Sequence, residues 1–162
     1  MRGLFHFGRN EMTYELKPVS TEADWRAMHD IRRATLFTPD RHPGHVIVYD
    51  ENHPDDHRPK NQPFLLILDG APIGVVRLDD RGSEGVVRLV AIVPELQARG
   101  HGRMLGRLVE EEARRRGMQR LMLNAFIGSI GFYEKMGWHA EVWDAAESIE
   151  YAGRSMQMTK SL

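Results

Sequence analysis

The stretch Ile92-Val93-Pro94-Glu95-Leu96-Gln97-Ala98-Arg99-Gly100-His101-Gly102-Arg103 holds residue types that bind an anion, in an order suited to the task. An apolar run ends at Pro94, a short loop follows, and Gly100 and Gly102 open a helical pattern. Glycines let backbone approach a ligand closely, and the free N–H groups of a helix start attract negative charge. Arg99, His101 and Arg103 add to that field, so a pyrophosphate suits the segment. Taken alone, the glycines serve equally well to turn the chain into a helix, and short motifs recur by chance. Two rival nucleotide sites fit worse. A P-loop requires Gly-Lys-Ser/Thr, whereas Gly102 is followed by Arg103 and Met104. A dinucleotide fingerprint wants glycine where Leu105 stands, with its glycines tight against the strand, and here Glu95 to Arg99 intervene.

Tyr133 is a second residue with usable chemistry. A phenol with a pKa of about 10 is protonated at neutral pH and can act as a proton donor. Without further context an aromatic in a short helix is core filling. His53, Asp55, Asp56 and His57 are metal ligands on paper, but their spacing matches no zinc pattern well, so a polar loop facing a substrate is the better reading and no metal is expected. The set Met104, Met118, Met122 and Met136, and the three tryptophans Trp25, Trp138 and Trp143, read as packing.

The elements that must position these residues are legible in outline. Tyr14 to Val19 alternates as a strand, and Ser20 or Thr21 caps a helix to about Leu36. Thr38 to Pro63 is a long polar loop with one apolar patch, Val46 to Tyr49, and loops of that length often bind ligands. Phe64 to Leu68 and Ile73 to Leu78 flank the hairpin signal Asp69-Gly70. Asp79 to Gly85 turns the chain into Val86 to Val93, apolar except for Arg88 and therefore central. A helix from about Gly100 to Arg116 carries Glu110, Glu111 and Glu112 four residues ahead of Arg114, Arg115 and Arg116, which reads as a solvated face. A strand from Leu121 to Ala125, a short helix from Ser129 to Met136, and strands at Trp138 to Trp143 and Ser155 to Thr159 complete an α/β domain with a mixed sheet.

Gln97-Ala98-Arg99-Gly100-His101-Gly102 resembles the Gln/Arg-x-x-Gly-x-Gly/Ala loop of GNAT N-acetyltransferases. Gly131-Phe132-Tyr133-Glu134-Lys135-Met136-Gly137-Trp138 resembles the Phe-Tyr-Glu-Lys-x-Gly-Phe segment of the same family, at matching spacing. The two motifs cover about the last half of the chain, and the front half agrees in its order of elements. The resemblance implies the GNAT acyl-CoA N-acyltransferase fold: a mixed, mostly antiparallel sheet of about six to seven strands, about four helices and a splayed central strand pair. It also implies acetyl-CoA as co-substrate. Backbone N–H groups of Gln97, Ala98, Arg99, Gly100, His101, Gly102 and Arg103 would hold the pyrophosphate, and Ile92 and Val93 the pantetheine arm, with Asn124 as a further pantetheine contact. The family's asparagine lies seven residues before the tyrosine, where this chain has Phe126. Tyr133 matches the general acid. The strand glutamate that serves as base in histone-type relatives falls at Val86, which leaves neighbouring Glu84 as the tentative base, with Asp79, Asp80 and Asp50 as alternatives and a water chain as another.

Composition narrows the class further. With 22 Lys plus Arg against 23 Asp plus Glu, no global field favours nucleic acid or an anionic membrane. The absence of cysteine excludes disulfides and a thiol-borne acyl intermediate, so transfer would be direct, within a ternary complex. No apolar run reaches the roughly 20 residues of a membrane span, and a cytoplasmic enzyme is expected, with residues 1–12 a flexible extension and 13–162 one catalytic domain. The acceptor is a small-molecule or peptide amine; the acidic cluster Asp50 to Asp56 suits a cationic one. A homodimer through the final strands is a further expectation. A non-catalytic acyl-CoA sensor and an enzyme for a longer acyl group remain alternatives.

Overall fold

The computed structural model describes residues 2–7 and 10–162, and side chains from Met12 onward. The strands are β1 (Arg2–Phe7), β2 (Asn10–Pro18), β3 (Asn61–Leu68), β4 (Ala71–Asp80), β5 (Glu84–Ile92), β6 (Arg120–Phe126), β7 (His139–Ala140) and β8 (Ser155–Ser161). The helices are α1 (Glu22–Thr35), α2 (His101–Arg115), α3 (Ile130–Lys135) and α4 (Ala145–Glu150). The strands make one eight-stranded sheet in the order β1-β2-β3-β4-β5-β6-β8-β7. Strands β2 to β8 are the seven foreseen. Residues 2–7, expected to lie in an extension, run antiparallel to β2 as an added strand.

Local chemistry sets the element ends. Thr21 caps α1 in a capping box with Asp24, satisfying donors at both positions. Asp69 and Gly70 both take positive φ, as a two-residue hairpin turn demands. Trp138 to Trp143 contributes only the two-residue β7, and the chain then forms α4, which the sequence reading missed.

Period-two alternation divides the sheet's side chains between its faces. Phe64, Leu66, Val76 and Leu78 join Met104, Leu105, Leu108 and Val109 of α2 in the larger cluster. Leu65 and Val75 point the other way, onto Met28 and Ile31 of α1. Two polar ties lock α2 in place. The His101 imidazole meets the Tyr14 hydroxyl at 2.8 Å, both residues buried. Glu110 pairs with Lys160 of β8. The charge run on α2 is therefore only partly the solvated face expected: Glu111, Arg114 and Arg115 are exposed, whereas Glu110 and Glu112 are buried, the latter held by Arg115 and Arg116. Among the described residues, no helix is long and apolar enough to cross a membrane.

Removing the Tyr14 hydroxyl leaves a buried imidazole nitrogen without a partner. Tyr14→Phe should lower stability by about 1–3 kcal/mol, read as a lower urea midpoint with an unchanged slope.

Candidate active site

β5 and β6 lie side by side in the middle of the sheet and are its parallel pair. Their register covers only Glu84↔Arg120, Gly85↔Leu121 and Val86↔Met122, after which the strands diverge. Between them opens a cleft of about 600 Å³, lined on one side by Val87 to Val90 and on the other by Leu123, Asn124 and Phe126. A bulge sharpens the divergence. Arg77 pairs with Arg88 and Val75 with Ala91, so two residues of β5, Leu89 and Val90, oppose Val76 alone, and Leu89 takes φ 55°. Such a bulge bends its strand and leaves one residue out of the ladder.

At the C-terminal end of β5 the chain turns through a short 3₁₀ segment and enters α2. Ala98 and Gly100 take positive φ, and Gly100 is the N-cap, with no side chain bonding the helix start. The first N–H groups of α2 are thus left for another acceptor. Arg99 and Arg103 are exposed beside them. The expectation for the His101 side chain needs correcting: its ring turns into the core toward Tyr14, leaving only its backbone N–H for a ligand. The Ile92 carbonyl accepts from the Gln97 side chain at 2.9 Å, and the Val93 N–H donates to the Ile73 carbonyl. Neither residue lines the cleft; the β5 backbone that does is Val87 to Val90.

Tyr133 of α3 lines the cleft, its ring edge-on to Phe132 and Trp138. Burial pushes its phenol up to about 12, so the group is protonated throughout the physiological range. Asn124 lines the opposite wall, and its side-chain carbonyl oxygen is buried without a hydrogen-bond partner. Glu84 stands apart from both. It sits where β5 and β6 are still paired, forms an ion pair with Arg120 at 3.1 Å and is not among the cleft residues.

The other end of the cleft is built from a chain of buried and half-buried charges that the sequence reading missed. Arg32 of α1 grips Asp56 with two hydrogen bonds, at 2.7 and 3.1 Å. Arg77 of β4 bonds Asp56 at 3.1 Å and Asp79 at 2.7 Å. Arg88 of β5 bonds Asp79 at 3.0 Å and Glu147 of α4 at 2.5 Å. Burial alone would raise the Asp56 carboxyl, but Arg32 and Arg77 overcome it and hold the group below the usual carboxylate range. The acidic loop cluster is thus largely committed: Asp56 to these arginines and Asp55 to Arg58. His57 stacks on Trp25 with centroids 5.0 Å apart. Asp79 is likewise engaged, whereas Asp50 lines the cleft and is exposed.

A family model described as "Acetyltransferase (GNAT) family" matches residues 25–138. The uncharacterized protein YyaT of Bacillus subtilis (strain 168) is 25% identical over 147 residues, covering 91% of this chain and 95% of its own. The ribosomal-protein-S18-alanine N-acetyltransferase of Escherichia coli shares the fold with a TM-score of 0.68 at 18% identity, over 91% of this chain and 93% of its own. The paia N-acetyltransferase of Thermoplasma acidophilum, solved in complex with coenzyme A, does so with a TM-score of 0.67 at 15% identity, over 92% and 99%.

Because the folded pKa of Asp56 is depressed, its contribution to stability is full above the unfolded value of about 3.9 and is lost as pH falls through the folded one. Asp56→Asn should cost about 3–5 kcal/mol at neutral pH. The variant's urea midpoint should also vary less than that of the parent between about pH 5 and pH 2.

Proposed function

The chain belongs to the acetyltransferase (GNAT) family, whose model spans more than half of its length, and from that premise we propose that it transfers the acetyl group of acetyl-CoA directly to a primary amine. The observation that carries this reading is the cleft between β5 and β6, which holds an unpartnered amide oxygen and a protonated phenol, together with the uncapped helix N-terminus to which the end of β5 leads. Each feature suits one part of the thioester substrate. The N–H groups at the start of α2, with Arg99 and Arg103 beside them, suit the pyrophosphate. The buried Asn124 oxygen suits an amide N–H of the pantetheine arm, which would supply the partner it lacks.

The chemistry needs little beyond these groups. The amine nitrogen bonds to the thioester carbon, and charge gathers on the carbonyl oxygen. A backbone N–H from the bulge at Leu89 and Val90, residues that line the cleft and have no register partner in β4, would receive that charge. As the C–S bond breaks, the Tyr133 phenol gives its proton to sulfur. No cysteine exists to carry the acetyl group, so transfer runs through a ternary complex.

The reading is tested by thiol release from acetyl-CoA across a panel of primary amines. Tyr133→Phe should keep acetyl-CoA binding and lose turnover on the order of 10²-fold or more. An unchanged rate would remove Tyr133 from the mechanism. The parent's activity should show no alkaline decline assignable to Tyr133 at ordinary assay pH, because its phenol ionises only near 12.

A further inference from the structure

An alkyl ammonium must lose a proton before it can attack, and the acetyl-transfer reading above, on which this inference rests, leaves that proton without a destination. The carboxylates of the cleft are poor acceptors. Asp56 and Glu147 are held by arginines, Asp55 by Arg58, and the exposed Asp50 accepts the Asn52 N–H at 2.8 Å. The two histidines that line the cleft are also engaged. His42 Nε2 faces the Leu36 carbonyl at 2.9 Å, and His53 Nδ1 accepts the Asp55 N–H at 3.2 Å.

Tyr49 is differently placed. It lines the cleft, and its hydroxyl lies 2.6 Å from Nδ1 of His29, a buried residue of α1 that stands behind it. Arg32 flanks the same hydroxyl, Phe37 packs on the Tyr49 ring at 4.7 Å, and the Arg33 guanidinium lies over that ring at 5.0 Å. Trp25 stacks on the far side of His29 at 5.9 Å. The pair is thus held from several directions.

We propose that Tyr49 is a catalytic residue that takes the first proton from an alkyl ammonium acceptor while passing its own hydroxyl proton to Nδ1 of His29. The ammonium N–H bond breaks, Oη gains that proton, and Nδ1 gains the one Oη releases. The imidazolium then loses its surplus proton to water, and exchange of the remaining proton with water returns the ring to the Nε2–H form, so that Nδ1 again faces Tyr49 with a lone pair. The freed nitrogen lone pair bonds to the thioester carbon, the C–S bond breaks, and sulfur takes the Tyr133 proton. The nitrogen's second proton leaves after attack and restores Tyr133 through water. Atoms and charge balance as ammonium plus thioester giving amide, thiol and one released proton.

The surroundings of His29 keep its ring unprotonated, and so available to the phenol. Burial lowers its pKa, Arg32 and Arg33 push the same way, and Glu51 and Asp56 oppose. The imidazole is neutral at neutral pH and keeps a lone pair at Nδ1 for the phenol. Burial raises Tyr49, against the pull of Arg32 and Arg33, so the hand-off is concerted and no standing tyrosinate is needed.

The test compares two acceptors: an Nα-blocked lysine amide, with an amine pKa of about 10.4, and a glycine-initiated peptide amide, with an α-amine pKa of about 7.7. Tyr49→Phe and His29→Gln should cut kcat on the order of 10²-fold for the lysine probe and clearly less for the peptide. His29→Gln should also erase the acid limb of the kcat–pH profile, which in the parent falls below the ordinary histidine value of about 6.5. Equal losses on both probes, or an acid limb that survives His29→Gln, would overturn the assignment. A second arm needs no turnover. In NMR titrations the His29 imidazole should titrate at higher pH in Tyr49→Phe, because the phenol bond favours the neutral ring. An identical titration in parent and variant would overturn the proposal by itself. Failure of the parent to bind acetyl-CoA would sink the acetyl-transfer reading without moving that titration, so the two failures are distinguishable.

Discussion

Backbone hydrogen bonding between β5 and β6 is the constraint on which the rest of the site depends. Three register pairs join the strands, and then the ladder stops. Buried N–H and C=O groups past that point need other partners, because leaving them bare costs as much as a lost hydrogen bond. Part of the answer is internal. The Trp143 indole N–H donates to the Leu123 carbonyl at 3.0 Å, the first β6 carbonyl beyond the last register pair. β8 completes the other edge of β6, pairing from Arg120 to Phe126. The bulge at Leu89 turns β5 away on its side. What these devices leave open is the wall of the cleft, which also carries the Asn124 side-chain oxygen, and under the proposed function the gap in the ladder would take the extended substrate arm.

The charge chain from Arg32 to Glu147 has a different role. Its cations, Arg32, Arg77 and Arg88, are matched by Asp56, Asp79 and Glu147, so it is neutral overall. Desolvating each ion costs several kcal/mol, and pairing inside a protein roughly returns that cost, so such a chain contributes little net stability. It does impose geometry. It links α1, the long loop, β4, β5 and α4 through directional bonds, fixing one end of the cleft relative to the β5 and β6 strands that form its walls. The same chain commits Asp56 to arginines, which on the proposed reading leaves proton handling to neutral groups.

Local signals were the legible ones. The hairpin at Asp69-Gly70, the Thr21 cap and the glycine-led start of α2 each rest on φ preferences or capping within a few residues, and each stands where the sequence placed it. Tyr133 was legible through its segment, and its place in the cleft follows from α3. The charge chain was not legible, because its partners come from separate elements: Arg88 and Glu147 are 59 positions apart, and no periodicity connects them. The role of Tyr49 was hidden likewise, inside an apolar patch of which Val46 and Val48 lie exposed. Helix α4 is too short for a periodic pattern, though Asp144 does cap it by accepting the Glu147 N–H, a signal readable in principle. The burial of Glu110 and Glu112 depended on β8 and on how the arginines fold back, which spacing along one helix does not reveal.

The central claim, that the β5–β6 cleft and the start of α2 hold an acyl-CoA, is tested most directly by calorimetric titration of the protein with acetyl-CoA, alongside Gly100→Glu. Gly100 takes φ 88° with nothing within 4 Å of an added Cβ, so the variant strains the loop and sets a negative charge at the phosphate position without disturbing the core. The account predicts micromolar binding by the parent and a loss of about tenfold or more, roughly 1.4 kcal/mol, in the variant. No binding by the parent at high micromolar concentration, or equal binding by both proteins, would contradict it.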